Sequence, residues 1–394
     1  MNNMDKTDMQ SDNMHADHDV MQPIERAKGL PNRYYTDQAH FDLEKQQLFY
    51  RQWACIGFKK DLFEDGMAIP VTLLDVPLLM VRDKHGTVRV FQNVCRHRGM
   101  ILVDRPTKLT NLIRCPYHSW CYSLEGKLRS TPHFGGSGKN KHESLDPNQF
   151  GLIQVRAHLF MDMIFVNLSG DAADFDHYAS SLGTRWHEFT NQKLVHGGED
   201  ASFELTLNTN WKLAVENYCE SYHLPWIHPA LNSYSKLEDH YTITADDGKH
   251  AGQGTVVYNP YLEDQGRVFP NFQGLSSAWD KAAEYIALFP NVLLGVHRDH
   301  YFAIHLNPVA VNKTVERVEL YYAHDDVILP EWEMLKKTHA EMWRKVFEED
   351  IYVVEGMQQG RSAPGFDGGK FSPVLDTGTH CFHKWVASNT NRKA

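Results

Sequence analysis

Along the first half of the chain, apolar residues fall in short runs separated by turn formers. Residues 53–58 (Trp-Ala-Cys-Ile-Gly-Phe), 68–74 and 77–82 are such runs, Asp83-Lys-His-Gly86 reads as a turn, and 87–91 continues as Thr-Val-Arg-Val-Phe. Two further runs, at 151–155 and 163–167, close the series. Strands spaced this closely predict a small all-β module. Upstream, Thr36 and Asp37 both suit the cap of a helix that runs through Phe41, Leu43, Leu48 and Phe49.

Beyond residue 170 the period changes. Helices are expected at 175–189, 211–223 and 330–359. In the last, Pro330 fits a first turn, and Trp332, Leu335, Met342, Trp343 and Val346 recur at helical spacing on a core-facing side. Strands are expected at 202–207, 255–258, 292–296, 301–306 and 315–323. This is an α+β pattern. No parallel crossover and no Gly-rich dinucleotide fingerprint after a strand is visible, so NADH and flavin are expected to bind a separate protein. Residues 246–250 and 364–369 read as connectors, and no solenoid repeat is present.

Composition changes this picture little. A chain of 394 residues suffices for two or three domains. A net charge of −10 argues against a nucleic-acid partner. No apolar run reaches the ~18 residues of a membrane span, and the polar, Met-rich start lacks the apolar core of a signal peptide. Residues 1–28 are expected to form a disordered tail, and the chain to work in the cytoplasm without a membrane partner. The six cysteines are therefore not expected to form a disulfide framework. The 23 histidines direct attention to metal sites.

Two stretches carry candidate chemistry. The first pairs Cys95-Arg-His97-Arg-Gly99 with Cys115-Pro-Tyr-His118. Each loop offers one thiolate and one imidazole, with Gly and Pro making the turns. That donor set suits a 2Fe–2S centre with two cysteines on one iron and two histidines on the other; it also suits a structural zinc. The second stretch is Glu220-Ser-Tyr-His223-Leu-Pro-Trp-Ile-His228. Pro225 is expected to break the helix after His223, so that both imidazoles turn toward one point. Glu220, three residues before His223, can bond its free ring nitrogen and fix the tautomer.

With these motifs in this order, residues 30–390 resemble the Rieske non-haem iron oxygenases, at the level of their catalytic α subunits. The resemblance implies an N-terminal helix at 29–50 packing on the catalytic domain, an all-β Rieske domain at 51–165, and a helix-grip (START-like) catalytic domain at 166–394. It implies a 2Fe–2S cluster on Cys95, His97, Cys115 and His118. It implies a mononuclear Fe(II) on His223, His228 and Asp350, the last from Glu349-Asp-Ile-Tyr-Val-Val-Glu-Gly-Met-Gln-Gln-Gly360. Spacing alone does not choose among Glu348, Glu349 and Asp350, whereas two histidines and one carboxylate do leave open positions for dioxygen.

The same resemblance implies a head-to-tail homotrimer, in which Glu220 meets the partner subunit's His118 and acts as an electron bridge. O2, a small organic substrate and an NAD(P)H-dependent reductase of flavin/ferredoxin type would be the partners. The run Glu216-Asn-Tyr-Cys-Glu220 is one residue shorter than its counterpart in multi-subunit aromatic dioxygenases and ends in Glu instead of Asp. It looks more like the α-only oxygenases of quaternary ammonium compounds such as carnitine and glycine betaine. Tyr218, Tyr222, Trp226, Tyr234 and Tyr241 can build a cation–π cage, and equally suit a core or an aromatic substrate. Three other functions fit part of the pattern: a cis-dihydroxylating dioxygenase α subunit, a zinc hydrolase on His223, His228 and Asp350, and a Rieske electron carrier, which needs only the first 165 residues.

Overall fold

The computed structural model describes residues 18–390. The chain forms two compact units: residues 53–172, and a larger one in which the described residues up to Gln52 join those from Ala173 onward.

The smaller unit is built from antiparallel strands β1 (Ala54–Phe58), β2 (Met67–Leu73), β3 (Val76–Arg82), β4 (Val88–Gln92), β5 (Thr107–Lys108), β6 (Leu112–Arg114), β7 (Cys121–Ser123), β8 (Leu128–Ser130), β9 (Gln154–Phe160) and β10 (Met163–Asn167). Seven of them form one sheet in the order β1-β10-β9-β4-β3-β2-β5, and β6-β7-β8 form a second. Phe91, Ile113, Trp120, Tyr122 and Leu152 make a core that also takes in Cys95 and Cys115. Burial of these side chains is the main favourable term holding so small a sheet pair together.

The larger unit is centred on a second antiparallel sheet. Its strands are β11 (Val195–His196), β12 (Ser202–Leu207), β13 (His240–Thr244), β14 (His250–Thr255), β15 (Ala283–Leu288), β16 (Val292–His297), β17 (His300–Ala310) and β18 (Lys313–Tyr322). The order is β11-β18-β17-β16-β15-β14-β13, with β12 also on β18. The long helix Glu333–Gly360 buries Leu335, His339, Trp343, Phe347 and Val354, a stripe recurring every turn. The helix Trp211–Tyr218 starts at Asn210, whose side chain accepts from the Lys212 amide. A third helix, Thr377–Thr390, approaches it closely: a Cβ on Gly378 would stand 2.5 Å from the Cys219 carbonyl oxygen, so only glycine fits there.

The segment before Gln52 is tied into this larger unit. Lys212 and Glu44, both fully buried, form an ion pair at 2.6 Å. The Tyr35 hydroxyl donates to the buried Glu216 carboxylate, which also pairs with His383 at 3.1 Å and Arg361 at 3.6 Å. Charges this deep are stable only because each is paired.

The α+β class agrees with the sequence pattern, and several elements differ from it. Of the tail expected over residues 1–28, residues 1–17 lie outside the described residues. From residue 18 the chain is ordered: Val20 and Ala27 are fully buried, and the Val20 carbonyl accepts from His380 Nε2 at 2.7 Å. The polarity of the segment concealed two apolar anchors. The expected strand at 255–258 is instead the end of β14 and an irregular stretch. The expected helix at 175–189 is two short helices, Phe175–Tyr178 and Ser180–Arg185. Pro225 does not terminate the preceding helix, which already ends at Tyr218; it sits in the first turn of a short helix, Leu224–Ile227, where its missing N–H costs nothing. Among the described residues, no helix is long and apolar enough to cross a membrane.

Candidate metal centres

In the smaller unit, two tight loops present the Cys/His pairs. In the first, the Cys95 amide donates to Met100 O and the Gly99 amide to Cys95 O, and Gly99 takes φ of +75°, a conformation that favours glycine. The second repeats the pattern: Cys115 N donates to Trp120 O, and Ser119 N to Cys115 O. The His97 and His118 rings lie 4.8 Å apart. Trp120 stacks on His97 at 4.8 Å and 8°. Both Nδ1 atoms are buried and lack a hydrogen-bond partner. Unpaired buried nitrogens are costly, and a metal ligated there removes the cost. Burial, with the neighbouring His118 and Arg98, lowers the His97 pKa and favours the neutral ligand form. Burial raises that of the Cys115 thiol, with Cys95 beside it adding to the effect; a bound cation would reverse this. Two thiols and two imidazoles thus come together from two loops of matching geometry. One Cys and one His from each loop is the donor set of a 2Fe–2S cluster with two cysteines on one iron and two histidines on the other.

In the larger unit, His223, His228 and Asp350 bring one ligand atom each within 4.8 Å of one another, the one such set of three or more among the described residues. The short helix Leu224–Ile227 accounts for the two histidines: His223 caps its start and His228 its end. Asp350 Oδ1, from the long helix, lies 3.0 Å from His228 Nε2 and 3.7 Å from His223 Nε2. Neighbouring ligands at right angles on an ion held at ~2.1 Å stand ~3 Å apart, so the set fits a mononuclear metal. The two Nδ1 atoms face away and are each held by a carboxylate: His223 by Glu220 Oε1 at 2.6 Å, His228 by Glu349 Oε2 at 2.9 Å. Both tautomers are thereby set with Nε2 free for metal. Burial works to lower the His228 pKa, but Asp350 and Glu349 outweigh it and raise it.

Glu220 lies beyond the helix end, not on its face; it also accepts from the amides of Tyr222 and His223. Of the acidic trio on the long helix, Asp350 faces the histidines, Glu349 takes the outer ring nitrogen of His228, and Glu348 is exposed. Asn217 donates to Asp350 Oδ1 at 3.3 Å. Sequence reasoning missed Asn217, Trp120 and Tyr122, whose hydroxyl lies 3.2 Å from Cys95 Sγ.

Beside His223, His228 and Asp350 is a pocket of about 50 Å³ walled by Tyr218, Tyr285, Phe302, Trp343 and Phe347. Of the aromatic residues expected to form a cage, only Tyr218 lines it. Tyr222 and Trp226 are 52% and 74% exposed on the outer side of the histidine turn. Tyr241 bonds Glu284, and Tyr234 packs edge-on against Tyr258.

Cluster loops in one unit and a two-histidine, one-carboxylate set in the other define a class: proteins that bring electrons from one metal centre to a second where dioxygen is used. Residues 52–141 match the Rieske [2Fe-2S] domain, and residues 194–391 match the ring hydroxylating alpha subunit (catalytic domain). The chain belongs to the Rieske-type ring-hydroxylating oxygenase alpha subunits. It is an oxygenase, with a Rieske 2Fe–2S cluster and a mononuclear iron as cofactors, and it depends on O2 and an electron-transfer partner.

Among its relatives is the carnitine monooxygenase oxygenase subunit of Escherichia coli (strain K12), 27% identical over 343 residues, or 86% of each chain. The chloroplastic choline monooxygenase of Atriplex hortensis is 26% identical over 377 residues, 94% of this chain and 80% of that one. The fold is shared with the quaternary ammonium Rieske monooxygenase CntA in complex with L-carnitine (TM-score 0.76, 22% identity, 95% and 99% of the chains). It is also shared with naphthalene 1,2-dioxygenase from Rhodococcus sp. (TM-score 0.78, 17% identity, 99% and 100%).

Proposed function

We propose that this protein is the terminal oxygenase of a cytoplasmic multicomponent system that hydroxylates a quaternary ammonium compound. Electrons come from an NAD(P)H-dependent reductase of flavin/ferredoxin type. The observation that carries the substrate class is the wall of the iron pocket. Its five aromatic residues are accompanied by no Lys or Arg among the described lining. A quaternary ammonium offers no N–H to a hydrogen-bond acceptor, so ring faces are what hold its charge. The activities named for the carnitine and choline monooxygenase relatives support the same class.

Cys95 and Cys115 would hold one iron of the cluster, and His97 and His118, whose Nδ1 atoms are unpartnered, the other. His223, His228 and Asp350 would hold the mononuclear iron, which would supply dioxygen activation. Glu220 and Glu349 retain the two Nδ1 protons so that both Nε2 lone pairs face the metal. Asn217 steadies the Asp350 carboxylate by donating to Oδ1. The aromatic wall keeps bulk water from the reacting face and fixes the cation. Glu220 has a second role in a head-to-tail homotrimer: bonded to His223 on one side, it receives the partner subunit's His118 on the other and bridges the two centres.

One experiment tests both roles. With a surrogate reductase, wild type consumes oxygen in step with hydroxylated quaternary ammonium product. Glu220→Gln retains its iron content and Rieske spectrum but loses ~10–100-fold or more in coupled turnover. Normal turnover in the variant removes the bridge. A wild type that oxidises aromatic acids and no quaternary ammonium compound sinks the substrate class.

A further inference from the structure

Behind the aromatic wall the larger unit buries three histidines: His297 at the end of β16, His300 at the start of β17, and His339 on the long helix. The rings of His297 and His300 stack at 3.9 Å and 9°. The indole N–H of Trp343 lies 3.1 Å from His300 Nε2 and 3.0 Å from His339 Nε2. An indole only donates, so both nitrogens are bare acceptors and both histidines carry their proton on Nδ1. There His300 meets Asp299 Oδ1 at 2.6 Å, and His339 meets the Tyr322 hydroxyl at 3.0 Å. These two histidines are satisfied at both nitrogens.

His297 is not. Its Nε2 lies 3.1 Å from the Tyr285 hydroxyl, but Nδ1 has no partner although the residue is wholly buried. Tyr258 stands beside it, ring centroids 4.6 Å apart; it is 7% exposed, and its hydroxyl also lacks a partner. Buried polar groups are almost always hydrogen-bonded, so two adjacent orphans in an otherwise saturated layer point to a missing ligand. Their place in the fold agrees. Tyr285 and Trp343 line the iron pocket. Tyr258, His300 and His339 line a separate cavity of about 540 Å³ on the far side of the same partition. Tyr258 follows β14 in a segment without helix or strand until residue 277, and its amide donates to the Lys281 carbonyl at 2.6 Å.

We propose that the substrate reaches this partition, and that the Tyr258 hydroxyl and His297 Nδ1 hold a hydroxyl group on it while its ammonium lies against the aromatic wall. This rests on the quaternary ammonium reading and adds the second feature of the substrate. A phenol beside a neutral imidazole offers both a donor and an acceptor, as an alcohol requires. Burial, with His300 and His339 nearby, keeps the His297 pKa well below its ordinary value, so the imidazole stays neutral. A carboxylate only accepts, so it uses this donor-and-acceptor pair less fully than an alcohol; Asp299 and Arg298 act on Tyr258 with opposite sign, so charge does not choose between them.

The test is equilibrium binding to the intact, iron-loaded protein, followed by calorimetry and by tryptophan fluorescence. The probes are choline, ethyltrimethylammonium, which lacks only the hydroxyl, and glycine betaine, which carries a carboxylate. Choline should bind about tenfold tighter than ethyltrimethylammonium, and tighter than glycine betaine. Tyr258→Phe should abolish the preference by weakening choline alone. His297→Asn should do the same, and where that variant does not fold Tyr258→Phe decides. Equal binding of choline and ethyltrimethylammonium to wild type overturns the inference, as does an equal loss of both in Tyr258→Phe or a preference for glycine betaine. If none of the three probes binds, the quaternary ammonium reading itself falls.

Discussion

Tyr122 illustrates how a single side chain acts on a centre it does not ligate. A cluster-bound thiolate can only accept, so the Tyr122 hydroxyl donates to Cys95 Sγ over 3.2 Å, and such a bond stabilises the reduced, more negative cluster. Tyr122→Phe should lower the reduction potential by about 40 mV, the one-electron equivalent of about 1 kcal/mol; a redox titration followed by circular dichroism measures it, and an unchanged potential refutes the role. The proposed Cys/His pairs and the two proposed iron histidines were legible because each pair lies within one short stretch of chain. Tyr122 was not, since it is 27 residues from Cys95, nor was Glu349, 121 residues from His228. Those contacts exist only once strands and helices have packed. Buried histidines give a second expectation. Burial lowers the His250 pKa from 6.5 to about 4 and those of His297 and His339 well below 6.5. The unfolded chain therefore binds protons below pH 6.5 that the fold refuses. The stabilisation from His250 is complete above 6.5, is lost as pH falls through about 4, and amounts to on the order of 3 kcal/mol. Urea midpoints should fall steadily from pH 7 to pH 5; a flat profile contradicts this.

At the scale of elements, the helix Trp211–Tyr218 depends on one residue. Asn210 accepts from the Lys212 amide at 3.1 Å and donates through Nδ2 to Val311 O at 2.7 Å, so it both caps the helix and pins it to the loop after β17. Asn210→Ala should cost about 1–2 kcal/mol in urea unfolding, and a cost near zero would show that packing alone holds the helix. The long helix was readable from its apolar stripe because a helix that covers a sheet must bury one side. Leu335 and Trp343 are buried as expected, while Trp332, Met342 and Val346 are only partly so. Strands were readable where apolar residues ran on or alternated, as in β12, although β15, buried along its whole length, was not among those expected. β13 and β14 escaped as well: His240-Tyr-Thr-Ile-Thr244 and His250-Ala-Gly-Gln-Gly-Thr255 are polar or small. Gly252 shows why small residues belong there. A Cβ on it would stand 2.0 Å from the Tyr285 carbonyl oxygen of the adjoining strand.

For the molecule as a whole, the α+β class and the family were legible because both metal motifs are local and ordered along the chain. What the pattern concealed was how the larger unit is closed. Its first described residues and its last helix are joined by His380 to Val20 O and by His383 Nδ1, which accepts from the Leu30 amide at 3.0 Å. Hydropathy has no view of such pairings, because each depends on residues more than 350 positions apart. The smaller unit is thus an insertion within the larger. A ribosome completes residues 53–172 while the larger unit still lacks its second part. Domains fold as they emerge, at ~5–20 residues per second. The cysteine and histidine loops are then complete while translation continues, whereas the set of His223, His228 and Asp350 is not complete until Asp350 has been made. The order of synthesis thus makes the loops of the smaller unit available before His223, His228 and Asp350 can come together.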